Sequence, residues 1–155
     1  VNLFRTATPP ELSGAELRSH IRRCLLQVRD DIVGIILFGS YARGEQWRDI
    51  DCLVIVEQLG SASGDWVETA VALSSAVALP RLEIVPYSRQ GFENGLGNHT
   101  PFLLDIAVDG ELLYDRDNVH QLLEQTRQYI QQRGIRRTRT GGWQFPVRFR
   151  ESTAL

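Results

Sequence analysis

In FGSYARGEQWRDIDCLVIVE, Phe38 to Glu57, eight residues separate the Gly39-Ser40 turn from Asp49 and its near neighbour Asp51. The two aspartates open a run, Cys52 to Val56, that otherwise has the composition of a core strand. Side chains alternate along a strand, so Asp49 and Asp51 share a face, about 7 Å apart at Cα. Carboxylates so placed repel one another unless a cation lies between them. Magnesium suits that position, because it takes one or two carboxylates together with substrate phosphates and water. The turn supplies the complementary half. Gly39 lets the backbone approach closely, and Ser40 offers a hydroxyl and an N–H at the start of a short helical segment. A third acid, Glu83, stands between Leu82 and Ile84 in a later apolar run. Three carboxylates and a phosphate-gripping turn are the parts of two-metal phosphoryl or nucleotidyl transfer, in which metals clamp the attacking and leaving oxygens. A carboxylate in such a site also accepts the nucleophile's proton. Arg43 is a further phosphate candidate, since guanidinium matches phosphate; an exposed turn arginine is the equal alternative.

These residues act together only if the surrounding elements bring them together. Ile32 to Phe38, IVGIILF, reads as a buried strand. Eight residues are too few for a parallel crossover, so the strands on either side are expected to be antiparallel neighbours. Gly39-Ser40 then lies beside Asp49 and Asp51. From Asp51 to Glu83 the pattern is strand, helix, strand, long enough for a parallel crossover that opens the third strand, Arg81 to Tyr87, at the same end. The intervening helix, Asp65 to Leu79, shows Val67, Ala70, Val71, Ser74, Val77 and Ala78 on one face, with Asp65 as its cap and Pro80 after its end.

Upstream, Ser13 and Glu16 have capping-box spacing and Leu12 with Leu17 a hydrophobic staple. Leu17, Ile21, Cys24, Leu25 and Val28 follow at helical period. Downstream, Gly91 to Asn98 holds three glycines and reads as a loop. Thr100-Pro101 starts a helix through Val108 that Gly110 stops. Glu111 to Tyr114 reads as a short strand and Asp117 to Arg133 as a helix. The predicted fold is α/β (α+β), a mixed β-sheet flanked by helices. Residues 1–133 form the domain and residues 134–155 a basic, aromatic C-terminal extension.

The chain has 155 residues, 43% apolar and 23% charged, as expected of one globular unit. No apolar run approaches the roughly 20 residues of a membrane span. The first residues lack a basic-then-apolar leader, so the expectation is a cytoplasmic protein without membrane contact. Cys24 and Cys52 lie in apolar patterns and read as reduced core thiols. His20, His99 and His120 have no metal-binding spacing. An Asp-x-Asp phosphatase nucleophile would follow its strand, whereas here the pair precedes one. All 17 basic residues are arginine, and they are unevenly spread: residues 131–155 hold six against one acid. Arg133, Arg136, Arg137 and Arg139 precede Trp143, Phe145, Val147 and Phe149, which alternate as in a strand; Pro146 confines that strand to an edge. Arginines with aromatics suit RNA. An edge strand or a partner-docking tail is the preferred reading.

Gly39-Ser40, Ala42-Arg43-Gly44, Asp49-Ile50-Asp51 and the later strand acid resemble the minimal (MNT-like) nucleotidyltransferases of the DNA polymerase β superfamily. The likeness runs from Ile32 to Ser88, with a weaker echo in Pro101 to Asp115. It implies the polymerase β-like fold, with Gly39 and Ser40 holding the triphosphate, Asp49 and Asp51 binding magnesium, and Glu83 completing the metal site where aspartate is more usual. It implies magnesium-dependent transfer of AMP from ATP to a protein, RNA or small-molecule acceptor. Members of this size often serve as antitoxins of a small helical (HEPN-type) RNase toxin. The alternative it leaves is a non-catalytic antitoxin acting by direct contact.

Overall fold

The computed structural model describes residues 12–60, 62 and 64–146. Helix α1 (Gly14–Val28) begins at the expected capping box: Ser13 Oγ accepts from the Glu16 N–H at 3.2 Å, and the Glu16 carboxylate accepts from the Ser13 N–H at 3.4 Å. Its buried stripe is Leu17, Ile21 and Leu25, while Val28 at the helix end is exposed. Then come strand β1 (Ile32–Phe38), the single-turn helix α2 (Gly39–Ala42), strand β2 (Ile50–Val56) and helix α3 (Asp65–Val77). Strand β3 (Leu82–Ser88) leads into helices α4 (Arg89–Gly97) and α5 (Pro101–Asp109), strand β4 (Glu111–Asp115) and helix α6 (Val119–Gln132). Two short strands, β5 (Arg136–Arg137) and β6 (Trp143–Gln144), follow.

The sheet has the order β3-β2-β1-β4. β1 is antiparallel to β2 and β4, and β2 is parallel to β3, as the loop lengths require. Both faces are covered, which explains why the central strands read as unbroken apolar runs. One core packs α1 and α3 against Ile35, Leu37, Cys52 and Val54. The other packs Phe92, Leu96, Leu103, Ile106 and Leu123 against Ile36, Leu53 and Ile55. Both cysteines are free, and burial pushes the Cys52 thiol up to about 12, leaving it unreactive. No helix among the described residues is long and apolar enough to cross a membrane.

The structure corrects four local expectations. Gly91 to Asn98 is not a loop: most of it lies in α4, capped by Ser88 Oγ, which accepts from the Gly91 N–H at 2.9 Å. Each glycine costs a helix about 1 kcal/mol. Burying Phe92 and Leu96, one turn apart, returns about 1.5–3 kcal/mol each, so packing overrides propensity. Second, α3 is rotated from the predicted face, burying Leu73 and Val77 while Val67 and Val71 face solvent. Leu73, the largest aliphatic side chain in the helix, decides that rotation. Third, Gly64 rather than Asp65 occupies the cap; Asp65 opens the helix and its carboxylate accepts from the Ala62 N–H at 3.2 Å. Fourth, β6 does not extend the sheet. It pairs with β5 as a separate antiparallel ribbon, Arg136 opposite Gln144 and Arg137 opposite Trp143. Val147 and Phe149, the rest of the predicted alternation, lie outside the described residues.

Gly110 links α5 to β4 where the chain passes close to β1. A methyl group there would press into the Ile106 carbonyl and lie 2.8 Å from Ile36 Cγ2. Gly110→Ala is expected to lower Tm by about 3–10 °C, measured by thermal denaturation; an unchanged Tm would show that this junction is not tightly packed.

Candidate functional site

Strand register decides which residues meet. In the antiparallel pair, Phe38 of β1 lies opposite Asp51 of β2, so the Gly39-Ser40 turn sits just beyond Asp51. In the parallel pair, Asp51 lies opposite Glu83 of β3. Asp49 stands one residue ahead of β2, whose first N–H, that of Ile50, donates to the Arg81 carbonyl at 2.9 Å. Ile50, Cys52 and Val54 pack on the α1–α3 side, as do Leu82 and Ile84. Alternation therefore sends Asp51 and Glu83 to the opposite face, in line with Leu53 and Ile55 but at its open end. Asp49 and Asp51 are half-buried and Glu83 is exposed. The two turn residues, Gly39 and Ser40, and the three acids thus gather at one end of the sheet.

Their charges act on one another. Burial, then the negative charges of Glu83 and Asp49, raise the Asp51 carboxyl above its ordinary value, and the Arg43 guanidinium partly opposes them. Among the described residues none of the three acids forms a salt bridge. Nor do any three Asp, Glu, His or Cys side chains among those residues close into a cage that would hold an ion alone. Magnesium does not require one, because phosphate and water complete its shell around one or two carboxylates. Half-buried Asp49 and Asp51, with like charge beside them and no guanidinium paired to them, fit that ion.

The turn is held from both sides. Gly39 has φ +76°, and a methyl group on it would run into Asp51 Oδ2. Only glycine brings this backbone so close to the carboxylate. The Arg43 N–H donates to the Gly39 carbonyl and the Glu45 N–H to the Ser40 carbonyl, both at 3.1 Å. Tyr41 meets Trp47 edge-on at 5.1 Å between ring centres, and the Arg18 guanidinium lies 5.4 Å from the Tyr41 ring. Trp47 thus packs against the turn, though its outer part remains exposed.

Among the described residues Arg43 forms no salt bridge with the acids of the strands. Its guanidinium binds Glu45 at 3.1 Å and lies 3.7 Å from Asp109 at the end of α5. Sequence reasoning missed Asp109 and its neighbour Asp105; their spacing of four in an otherwise apolar helix was the available signal. A hollow of about 430 Å³ between α4 and α6, where His99 stacks on Tyr129, contains none of these residues.

Residues 23–119 match the family model described as Polymerase beta, Nucleotidyltransferase. The chain belongs to the polymerase β nucleotidyltransferase family. The matched span contains Gly39, Ser40, Arg43, Asp49, Asp51 and Glu83. This nucleotidyltransferase is 31% identical over 106 residues to a Methanocaldococcus jannaschii protein named "Putative protein adenylyltransferase MJ1305", covering 66% of the chain and 71% of that protein. It also shares its fold with a chain of a toxin–antitoxin crystal structure containing AMP-PNP, at TM-score 0.50 and 23% identity over 74% of this chain and 87% of that one. A variant of the MntA–HpeT toxin–antitoxin pair gives TM-score 0.51 and 22% identity over 79% and 89%.

A carboxyl group whose proton affinity is raised by folding favours the folded state below its unfolded value, near 4, and loses that contribution as pH rises through the folded value. In divalent-free buffer, Asp51→Asn should match wild type in Tm near pH 3 and exceed it by about 2–4 °C at pH 7. Thermal melts across that range test the prediction; a variant less stable than wild type at pH 7 contradicts it.

Proposed function

We propose that this nucleotidyltransferase moves AMP from ATP to a hydroxyl group of a protein partner, and that magnesium assists it. The observation carrying this reading is the paired register that sets Asp51 beside both Glu83 and the Gly39-Ser40 turn. Asp49 and Asp51 would hold the magnesium, with Glu83 next to them; when bound, the ion neutralises charge on the α-phosphate and on the departing pyrophosphate.

The turn's part is to grip. Ser40, with the closely approaching backbone of Gly39, binds the polyphosphate and orients the α-phosphorus toward the acids. Arg43 can turn from Glu45 to the outer phosphates, for which its guanidinium is well shaped. The acceptor oxygen attacks the α-phosphorus as the bond to the β-phosphate oxygen breaks, and pyrophosphate leaves. Exposed Glu83 can reach an incoming hydroxyl and take its proton.

Protein as acceptor is supported by the name of the Methanocaldococcus jannaschii relative. An antitoxin role is supported by similarity in fold to toxin–antitoxin complexes, one of them with AMP-PNP. The acceptor is accordingly taken to be a small helical (HEPN-type) toxin.

ATP labelled at the α-phosphate, magnesium and such a toxin should yield labelled toxin. Asp49→Asn and Asp51→Asn should each reduce labelling by at least about 10³-fold, as expected when charge stabilisation at the phosphorus is removed. Labelling that persists in the double variant contradicts the assignment. Toxin neutralised equally by that variant without nucleotide would instead indicate action by contact alone.

A further inference from the structure

The C-terminal ribbon, which the nucleotidyl-transfer reading leaves without a task, ends against the same acid that Arg43 approaches. Asp109 closes α5, where the helix dipole already places partial negative charge. Its side chain is 16% exposed. Its Oδ2 is buried and accepts no hydrogen bond among the described residues. Arg137 Nη2 lies 2.8 Å from that oxygen and Arg43 Nη1 3.7 Å away. The shorter approach is not aligned as a hydrogen bond, so Asp109 is compensated by charge, from two sides.

The two arginines are held very differently. Arg137 Nη2 also donates to Asp105 Oδ1 at 3.0 Å, the oxygen that accepts from Trp143 Nε1 at 3.1 Å. Its guanidinium lies 5.1 Å from the centre of the Trp143 ring. The pairing of β5 with β6 sets Arg137 opposite Trp143, so this cation is fixed by the ribbon. Arg43 sits on an exposed turn and shares itself between Glu45 and Asp109.

We propose that Arg137 is a positioning residue for nucleotide binding: by neutralising Asp109 it lets Arg43 leave α5 for the triphosphate. The proposal rests on the nucleotidyl-transfer reading above. With Arg137 in place, departure of Arg43 leaves Asp109 still paired. Without it, Arg43 is the remaining cation within 4 Å of Asp109 among the described residues, and its departure leaves the buried Oδ2 of Asp109 without a cation. Asp109 would then retain Arg43 and compete with the nucleotide for it.

The test is calorimetric binding of magnesium AMP-PNP to the full chain. Arg137→Ala should weaken binding roughly fivefold, the scale of one partly exposed charge pair. Arg137→Lys should restore it. Asp109→Asn should bind at least as tightly as wild type, and the Asp109→Asn/Arg137→Ala double variant should match Asp109→Asn alone. Trp143→Phe loses a ribbon contact but keeps the guanidinium, and should bind as wild type does. A purely structural ribbon would instead make Trp143→Phe weak and leave the double variant as poor as Arg137→Ala. That pattern, unchanged binding by Arg137→Ala, or weaker binding by Asp109→Asn overturns the proposal, and the last requires only a variant whose ribbon is intact. Wild-type protein that binds no magnesium AMP-PNP removes the nucleotide reading and this proposal together, whereas wild-type binding with an indifferent Arg137→Ala removes this proposal alone.

Discussion

Asp49, Asp51 and Glu83 repel one another, and the sheet holds them together against that repulsion. What prevents relief is register. Sliding β2 by one residue would carry Asp51 into the layer now filled by Ile50, Cys52 and Val54, burying a charge without a partner. It would also expel Leu53 and Ile55, both fully buried, from the other layer. Loss of one such side chain from a core costs about 2–5 kcal/mol, well above the repulsion of partly solvated carboxylates. The two cores therefore lock the acids at the open end of the sheet, and their crowding of like charge follows from packing elsewhere.

Much else in the fold serves that end of the sheet. Gly39 brings the turn against Asp51 because it has no side chain to prevent it. Tyr41, between Arg18 and Trp47, braces the single turn of α2, which is too short to be stable by itself. Arg18 in turn binds Glu111 at 2.8 Å, tying α1 to the start of β4. The end of α5 delivers Asp109, and the ribbon delivers Arg137, to the neighbourhood of Arg43. Segments far apart in the chain thus meet around one patch of charge.

The parts legible in the sequence were those governed by local pattern and chain length. β1, β2 and β3 announce themselves as short apolar runs, and eight residues between Ser40 and Asp49 leave antiparallel pairing as the natural arrangement. The crossover length then places Glu83 beside Asp51. Where local signals competed with packing, they lost. The glycines of α4 suggested a loop because their propensity is visible and the burial of Phe92 and Leu96 is not. Val67 and Val71 suggested a face of α3 that Leu73 overrides. The Arg43–Asp109–Arg137 contact was illegible for another reason: it joins a turn, a helix end and a ribbon, and no periodicity relates them.

The most direct test is a crystal structure of the chain with manganese and AMP-PNP, read by anomalous scattering from the metal. The account predicts metal bound by Asp49 and Asp51, beside Glu83, with the polyphosphate lying along Gly39 and Ser40. Metal and nucleotide bound away from residues 49 and 51 would contradict it, whatever the activity of the protein proved to be.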